Sequence, residues 1–364
     1  MYVPVKGNEQ ITKSLNDWYQ AILQHQNIQA TNLKQEVEDK LSSIKEDKNL
    51  LLYYSLLNFR YKVLTDGLNI TKDSFNEINS FDIPDNSFLS YYYHFFKAIH
   101  STTLADYNEA KEHFKKAEKL LMYVPDELEK AEFNYRLASF YYQNYKPLPS
   151  MLYASKAKDF FSKTNSSDIN IALCENVQGL TCIQIRQFEQ AEEYLTKAID
   201  TVKKIDSTEL LLRIRNNLGW LYANQNLSDL AIRHLSAVTE HLPSHYKAMF
   251  LQAREHYKLG ERNKANTLIK KGLAACTKIE NKEYVHRFNI LKEMNTGSDS
   301  LTLESTVLEG ISYFEAENLT RCVQEYTEIL ATMFYKEEND KKASKYFYMS
   351  NEARKKYEEK GALV

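Results

Sequence analysis

The clearest pattern in the chain lies between residues 212 and 243, where the sequence reads LRIRNNLGWLYANQNLSDLAIRHLSAVTEHLP. Apolar or small residues recur there at helical spacing, and a proline closes the segment: Leu218, Gly219, Tyr222, Ala231, Leu235, Val238 and Pro243. Small residues such as Gly219 and Ala231 let two antiparallel helices approach each other closely. The segment therefore predicts one tightly packed helix pair.

The same spacing recurs along the chain and is typical of a tetratricopeptide (TPR) repeat. In six places a small residue is followed by another twelve positions later: Ala98 and Ala110, Ala138 and Ser150, Gly179 and Ala191, Gly219 and Ala231, Ala253 and Ala265, Ala331 and Ala343. One wider gap leaves room for a degenerate repeat around Leu291–Leu319. We therefore predict about seven helix pairs that stack into a right-handed superhelix with an extended concave face.

The composition favours an all-α protein, because only 9 Gly and 6 Pro occur among 364 residues. The net charge of −2 offers no electrostatic basis for binding nucleic acid. The polar N-terminus MYVPVKGNEQ lacks the apolar core of a signal peptide, and no apolar run is long enough to span a membrane. Four scattered cysteines without CxxC spacing indicate reduced thiols. We therefore expect a cytoplasmic protein.

Three segments with helical periodicity precede the repeats and predict a three-helix bundle over residues 1–68. The second helix is expected to begin near Thr31, with its hydroxyl as the cap, and the third to run from Asn49 to Gly67. Residues 69–87 (NITKDSFNEINSFDIPDNS) are polar and rich in turn formers, so they predict a linker. With few apolar side chains to hold it, such a linker would let the bundle rotate relative to a repeat array over residues 88–364.

Motifs of the common enzyme classes are missing from the sequence. It contains no GxxxxGK[ST], GxGxxG, GxSxG or HExxH. His234, His241 and His245 are close in sequence, but Pro243 interrupts the helix between the last two. We therefore predict no metal site and no cofactor.

Polar side chains collect on the first helix of the pair that begins near Leu212. They fall on or beside the stripe that lines the concave face of a TPR array: Arg213, Asn216, Asn217, Trp220 and Asn224. An asparagine amide both donates and accepts hydrogen bonds, which suits a groove that holds the main chain of an extended peptide. The cluster predicts a peptide-binding site, although each residue alone could be an ordinary solvated side chain.

A more specific pattern lies in the segments LNDWYQAI, LKQEVEDKLSSIKEDKNLLLYYSLLNFRYKVL and YYYHFFKAIH. With them the chain resembles the Rap family of Gram-positive bacteria from about Leu15 to the C-terminus. The resemblance implies a three-helix bundle joined to a TPR-like array that acts on a response regulator. Some members dephosphorylate the aspartyl phosphate of the sporulation regulator, and others keep the competence regulator from DNA. Imported quorum-sensing Phr peptides bind the groove and inhibit these proteins, favouring a compact form.

The resemblance also assigns residues for contact with the regulator. The family motif EEDQDL aligns with residues 45–50, and its catalytic Gln, which orients a water in the phosphatase members, corresponds to Lys48. A lysine has donors and no acceptor, so phosphatase activity is left open while docking remains expected. The implied regulator contacts are Glu46, Asp47, Leu51 and Phe59. Any Mg²⁺ would belong to the bound regulator.

For the peptide, Asn217 aligns with the groove asparagine through which family members hold the peptide backbone. Gln184 lies where several relatives have an Asp that faces a basic peptide residue, and Asn176 is a further implied contact. The expected partners are a response regulator and a short Phr-like peptide, without nucleic acid or membrane, in a monomer or weak homodimer. One alternative is a TPR scaffold without a peptide switch. Another is a peptide-responsive transcription factor, but the third bundle helix is too apolar to read DNA.

Overall fold

The computed structural model describes residues 9–40, 47–124, 126–163, 168–205 and 207–362, with the backbone only for residues 68 and 357–362. These residues form eighteen α-helices and short 3₁₀ turns, and no strand occurs among them. The prediction of an all-α chain is confirmed. The chain divides into two compact units, Met1–Asp206 and Ser207–Val364. The predicted boundaries after residues 68 and 87 fall inside the first unit and stay a prediction.

The first unit begins with the three expected helices, α1 (Glu9–Leu23), α2 (Asn27–Lys40) and α3 (Lys48–Thr65). The prediction that Thr31 caps the second helix is wrong, because α2 begins four residues earlier. The Thr31 hydroxyl instead donates within the helix to the Asn27 carbonyl at 2.8 Å. Asp47 caps α3, since its carboxylate accepts from the amides of Asn49 and Leu50 at 3.1 Å.

Short helical turns follow α3 where the sequence predicts a linker. They are the 3₁₀ turns Gly67–Asn69 and Lys72–Phe75 and the helix α4 (Asn76–Asn79). The linker is therefore partly helical, and its contacts, described below, hold it against the first unit.

Paired helices make up the rest of both units. The first unit contains α5 (Phe88–Thr103) with α6 (Tyr107–Leu120), α7 (Glu127–Gln143) with α8 (Pro147–Lys163), and α9 (Asp168–Gln184) with α10 (Phe188–Lys204). The second contains α11 (Thr208–Asn224) with α12 (Ser228–His241), α13 (Tyr246–Lys258) with α14 (Arg262–Lys278), α15 (Lys282–Thr296) with α16 (Ser300–Ala316), and α17 (Thr320–Lys336) with α18 (Asp340–Ala362). The seven predicted pairs are confirmed, and the degenerate one is α15 with α16.

The small residues at the repeat spacing let the helices of a pair approach. A Cβ atom added at Gly179 would lie 2.7 Å from Leu195 Cγ, and one added at Gly219 would lie 2.5 Å from Leu235 Cγ. Both distances are too short for carbon atoms, so only glycine fits beside a leucine sixteen residues later. Where serine replaces the alanine of the second helix, its hydroxyl still finds a partner, because Ser150 Oγ donates to the Ala138 carbonyl at 3.0 Å.

Each pair turns through three residues, one of which has a left-handed backbone: the middle one in six pairs, and the first, Gly297, between α15 and α16. Ala105, Tyr145, Arg186 and Asn226 occupy the middle position with φ between 54° and 61°. The residue that follows donates its amide five residues back, as Asp106 does to the Ser101 carbonyl at 2.9 Å. This is the Schellman arrangement, which satisfies the last carbonyls of the first helix while reversing the chain.

Candidate functional site

The predicted regulator-contact residues lie around the start of α3. Asp47 is half-buried as the helix cap, Lys48 is exposed at the first helical residue, and Leu51 is half-buried one turn later. Glu46 lies outside the described residues. The ammonium of Lys48 therefore stands on an accessible helix end, where a partner protein could reach it.

Phe59 differs from this accessible group. Its side chain is only 2% exposed and packs edge-on against Phe75, with ring centroids 5.0 Å apart. His100 of α5 closes the same pocket, with its ring centroid 5.7 Å from that of Phe59. The linker and α5 cover this side chain in the present conformation, and its contact with a regulator stays a prediction.

The linker is packed rather than loose, which corrects the expectation that few apolar side chains hold it. Phe75 is fully buried and Ile78 is nearly so. Polar contacts add to this packing on both sides. The Ser55 hydroxyl of α3 donates to Glu77 at 2.9 Å, and the ring Nε2 of His100 lies 2.9 Å from the Thr71 carbonyl. The linker is thus fixed to the bundle and to the first helix pair.

The predicted peptide contacts in the second unit all lie on α11. Arg213 is exposed and lies 3.6 Å from Glu209, whereas the other four side chains are half-buried: Asn216, Asn217, Trp220 and Asn224. The Asn224 amide donates to the Trp220 carbonyl at 2.7 Å. Among the described residues, no donor reaches the buried Oδ1 of Asn216. This face of α11 therefore presents amide groups and an indole.

The predicted contacts in the first unit lie on α9. Asn176 is only 6% exposed, so little of its side chain can meet a ligand in this conformation. The Gln184 amide donates to the Tyr142 carbonyl at the end of α7 at 2.9 Å. Its buried Oε1 receives no hydrogen bond from the described residues. The roles of all the α9 and α11 residues in peptide binding stay predictions.

A buried polar cluster joins the bundle to the helix pairs, and the sequence analysis missed it. Arg60 of α3 bonds to Glu132 of α7 at 2.8 Å, and both side chains are 2% exposed. Tyr19 of α1 donates to Glu129 of α7 at 2.7 Å. Helical periodicity could not reveal these contacts, because the partners are 72 and 110 residues apart.

The two carboxyl groups of the cluster have opposite electrostatic environments. Burial raises the pKa of Glu129 to about 8, even though hydrogen bonds from Tyr19 and Tyr91 partly offset the effect. Burial acts in the same direction on Glu132, but the guanidinium groups of Arg136 and Arg60 outweigh it and lower the pKa of that carboxyl. At neutral pH Glu132 is therefore ionised and Glu129 largely holds its proton.

No group of three or more His, Cys, Asp or Glu side chains suited to a metal ion occurs among the described residues. The four cysteines are buried and unpaired. None of the described helices is long and apolar enough to cross a bilayer.

Comparisons with known proteins agree with this architecture. The family model described as response regulator aspartate phosphatase H, N terminal, matches residues 5–66. The chain is 28% identical to the regulatory protein RapF of Bacillus subtilis (strain 168), over 96% of each chain.

Two solved structures resemble the fold over nearly its whole length. A Rap protein complexed with Competence and Sporulation Factor is 27% identical, with a TM-score of 0.84 over 97% of this chain and 99% of that one. The apo form of RapI is also 27% identical with the same coverage, and its TM-score is 0.66. In its sequence along nearly the whole length and in its fold, the chain is similar to members of the Rap family.

Proposed function

We propose that this protein is a cytoplasmic Rap-type regulator that binds a response regulator and is controlled by a short peptide in the groove of its helix pairs. The observation that carries the proposal is the likeness, with a TM-score of 0.84, to a Rap protein complexed with a signalling peptide. The N-terminal match to a response regulator aspartate phosphatase supports the regulator as the second partner.

Binding without catalysis is the activity that the start of α3 favours. Lys48 is exposed there, beside the cap residue Asp47, at the position where the family motif has its catalytic Gln. Orienting a water for in-line attack on a phosphoryl group requires an acceptor as well as a donor. A lysine ammonium supplies only donors, so it can contact an acidic or phosphorylated pocket without activating water.

Peptide contacts are proposed on the amide-bearing face of α11 and, independently, on that of α9. Asparagine and glutamine side chains can bond both the carbonyl and the amide of a peptide main chain. A neutral glutamine at residue 184, where several relatives have an Asp, favours a polar rather than a strongly basic side chain in the peptide. We propose no cofactor and no nucleic acid for this function, and a monomer or weak homodimer as its form.

A binding screen tests the proposal. The full-length protein is titrated with each purified response regulator of its host, phosphorylated and unphosphorylated, while release of phosphate is recorded in parallel. We expect one or a few regulators to bind and none to be dephosphorylated faster than it is alone. Failure of every regulator to bind would favour the TPR scaffold.

A further inference from the structure

The contact between the bundle and the helix pairs contains polar groups that are fully buried. Arg60 and Glu132 form one link, and Tyr19 and Glu129 form a second. A third link joins the end of α1 to α9, where the Asn170 amide donates to the Leu23 carbonyl at 3.1 Å. Asn170 is 1% exposed, so this bond too is shielded from water.

Polar links of this kind suit a contact that opens and closes. Apolar residues of similar volume often stabilise a buried site as well as an ion pair does, so the ion pair is a weak source of net stability. When the contact opens, Arg60, Glu129 and Glu132 regain water, which lowers the cost of separation. A wholly apolar contact would instead expose hydrophobic surface with no such compensation.

We propose that Glu129 and Glu132 of α7 form a proton-sensitive latch that holds the three-helix bundle on the helix pairs. The inference rests on the proposed function, since a bundle that leaves the helix pairs would free Phe59 from His100 of α5 and complete the expected regulator surface. Glu132 supplies the charged link to Arg60, whereas Glu129 makes the closure depend on pH.

The proton dependence follows from the surroundings of Glu129. The phenols of Tyr19 and Tyr53 come from the bundle, and those of Tyr91 and Tyr92 from α5; burial raises the pKa of each, so all four stay neutral. The charged groups that act on the cluster are Glu132 and Arg136 of α7, its cap residue Asp126 and Arg60 of α3, with His25 acting on Glu132. Departure of the bundle removes Tyr19, Tyr53 and Arg60 and exposes the Glu129 carboxyl to water.

The docked and open forms bind the Glu129 proton with different affinities. With the bundle docked, the pKa of Glu129 is about 8, and in water it returns towards 4.5. Opening therefore releases a proton between these values. The docked form is favoured most at low pH, and its advantage falls by up to about tenfold per pH unit as pH rises to 8.

Two tyrosines offer a matched pair of variants. Tyr19 and Tyr91 each donate one hydrogen bond to Glu129, at 2.7 and 2.9 Å, and both are buried. Tyr19 belongs to the bundle, whereas Tyr91 belongs to α5, on the same side of the contact as Glu129. Tyr19→Phe removes a hydrogen bond between the bundle and the helix pairs, whereas Tyr91→Phe removes one within the helix pairs. Tyr91→Phe is therefore the control for losing a hydroxyl group next to Glu129.

The test measures the bundle position in the full chain by fluorescence energy transfer. Dyes are attached at Ile28→Cys on α2 and Leu148→Cys on α8, which are 83% and 81% exposed, while the four native cysteines are buried. Urea is set below global unfolding, where docked and open forms coexist, and pH is varied from 6 to 9. No peptide or regulator is present, so a failed latch leaves the binding screen unaffected.

We expect the docked-to-open ratio of the parent to fall as pH rises, and Glu129→Gln to remove most of this dependence. His25→Asn should retain it. Tyr19→Phe should lower the ratio roughly 2- to 12-fold at one pH, and Tyr91→Phe should leave it nearly unchanged. A parent ratio independent of pH, equal effects of the two tyrosine variants, or a bundle that leaves only on global unfolding would each overturn the proposal.

Discussion

Phe75 of the linker packs edge-on against Phe59 of α3, with ring centroids 5.0 Å apart. The contact fixes the segment between bundle and helix pairs, and it buries a side chain that the family resemblance assigns to the regulator surface. In this conformation the bundle therefore has only part of its expected regulator surface available, at Asp47, Lys48 and Leu51.

Replacing Phe75 with alanine tests the packed linker. The side chain is fully buried among Phe59, Tyr93 and His100. Its removal should lower the free energy of unfolding by about 3–5 kcal/mol, measured by urea denaturation. Phe81→Ala is the control, since Phe81 is only half-buried and should cost less. Equal losses in the two variants would mean that Phe75 does not anchor the linker.

Asn217→Ala tests the peptide groove. We expect the variant to lose about 1–3 kcal/mol of peptide binding, or roughly 5- to 150-fold in affinity, because bonds to the peptide main chain disappear. Regulator binding should be unchanged. Calorimetry with synthetic penta- and hexapeptides measures the loss. Asn263→Ala, the same change at an exposed residue of α14, serves as the control. Unchanged peptide affinity in Asn217→Ala would remove this residue from the site.

Lys48→Gln tests whether the lysine at this position prevents the protein from dephosphorylating the regulator that it binds. Restoring an amide at this position gives the side chain an acceptor as well as a donor. We expect the variant to accelerate loss of phosphate from its bound regulator by roughly 10²-fold over the parent. Lys72→Gln makes the same change of charge at an exposed linker residue and should have no effect. A parent protein that already dephosphorylates its regulator rapidly would contradict the assignment.

Gly179→Ala tests the close approach within a helix pair. The added methyl would lie 2.7 Å from Leu195 Cγ, and overpacking of this kind costs about 1–3 kcal/mol. The higher helix propensity of alanine recovers up to about 1 kcal/mol, so we expect a net loss in urea denaturation. At Gly67 nothing lies within 4 Å of the added methyl, and Gly67→Ala should be neutral or slightly stabilising. The same sign in both variants would refute the packing account.

The sequence could predict the helix pairs because their signal is local. Gly219 and Leu235 lie sixteen residues apart and meet in one pair, so the spacing itself reports the contact. The exact turn positions were harder to predict from the sequence. Glycine usually marks a residue with a left-handed backbone, but here Ala105, Tyr145 and Arg186 adopt that conformation. The start of α2 was missed for a related reason, because Thr31 resembles a cap but bonds within the helix.

The candidate site could be predicted only in part. The residues on α11 follow from repeat spacing, and Lys48 follows from a motif. Burial of Phe59 and the link between Arg60 and Glu132 depend on which distant helices meet, and helical periodicity does not encode that choice.

Reciprocal calorimetry on the full-length protein tests the central claim most directly. Its regulator is titrated with and without saturating peptide, and the peptide with and without saturating regulator. A peptide-controlled regulator predicts that each ligand weakens the other by the same factor, roughly 5- to 150-fold for a coupling of about 1–3 kcal/mol. Two ligands that bind with unchanged affinities in each other's presence would contradict the account and leave a TPR scaffold without a switch.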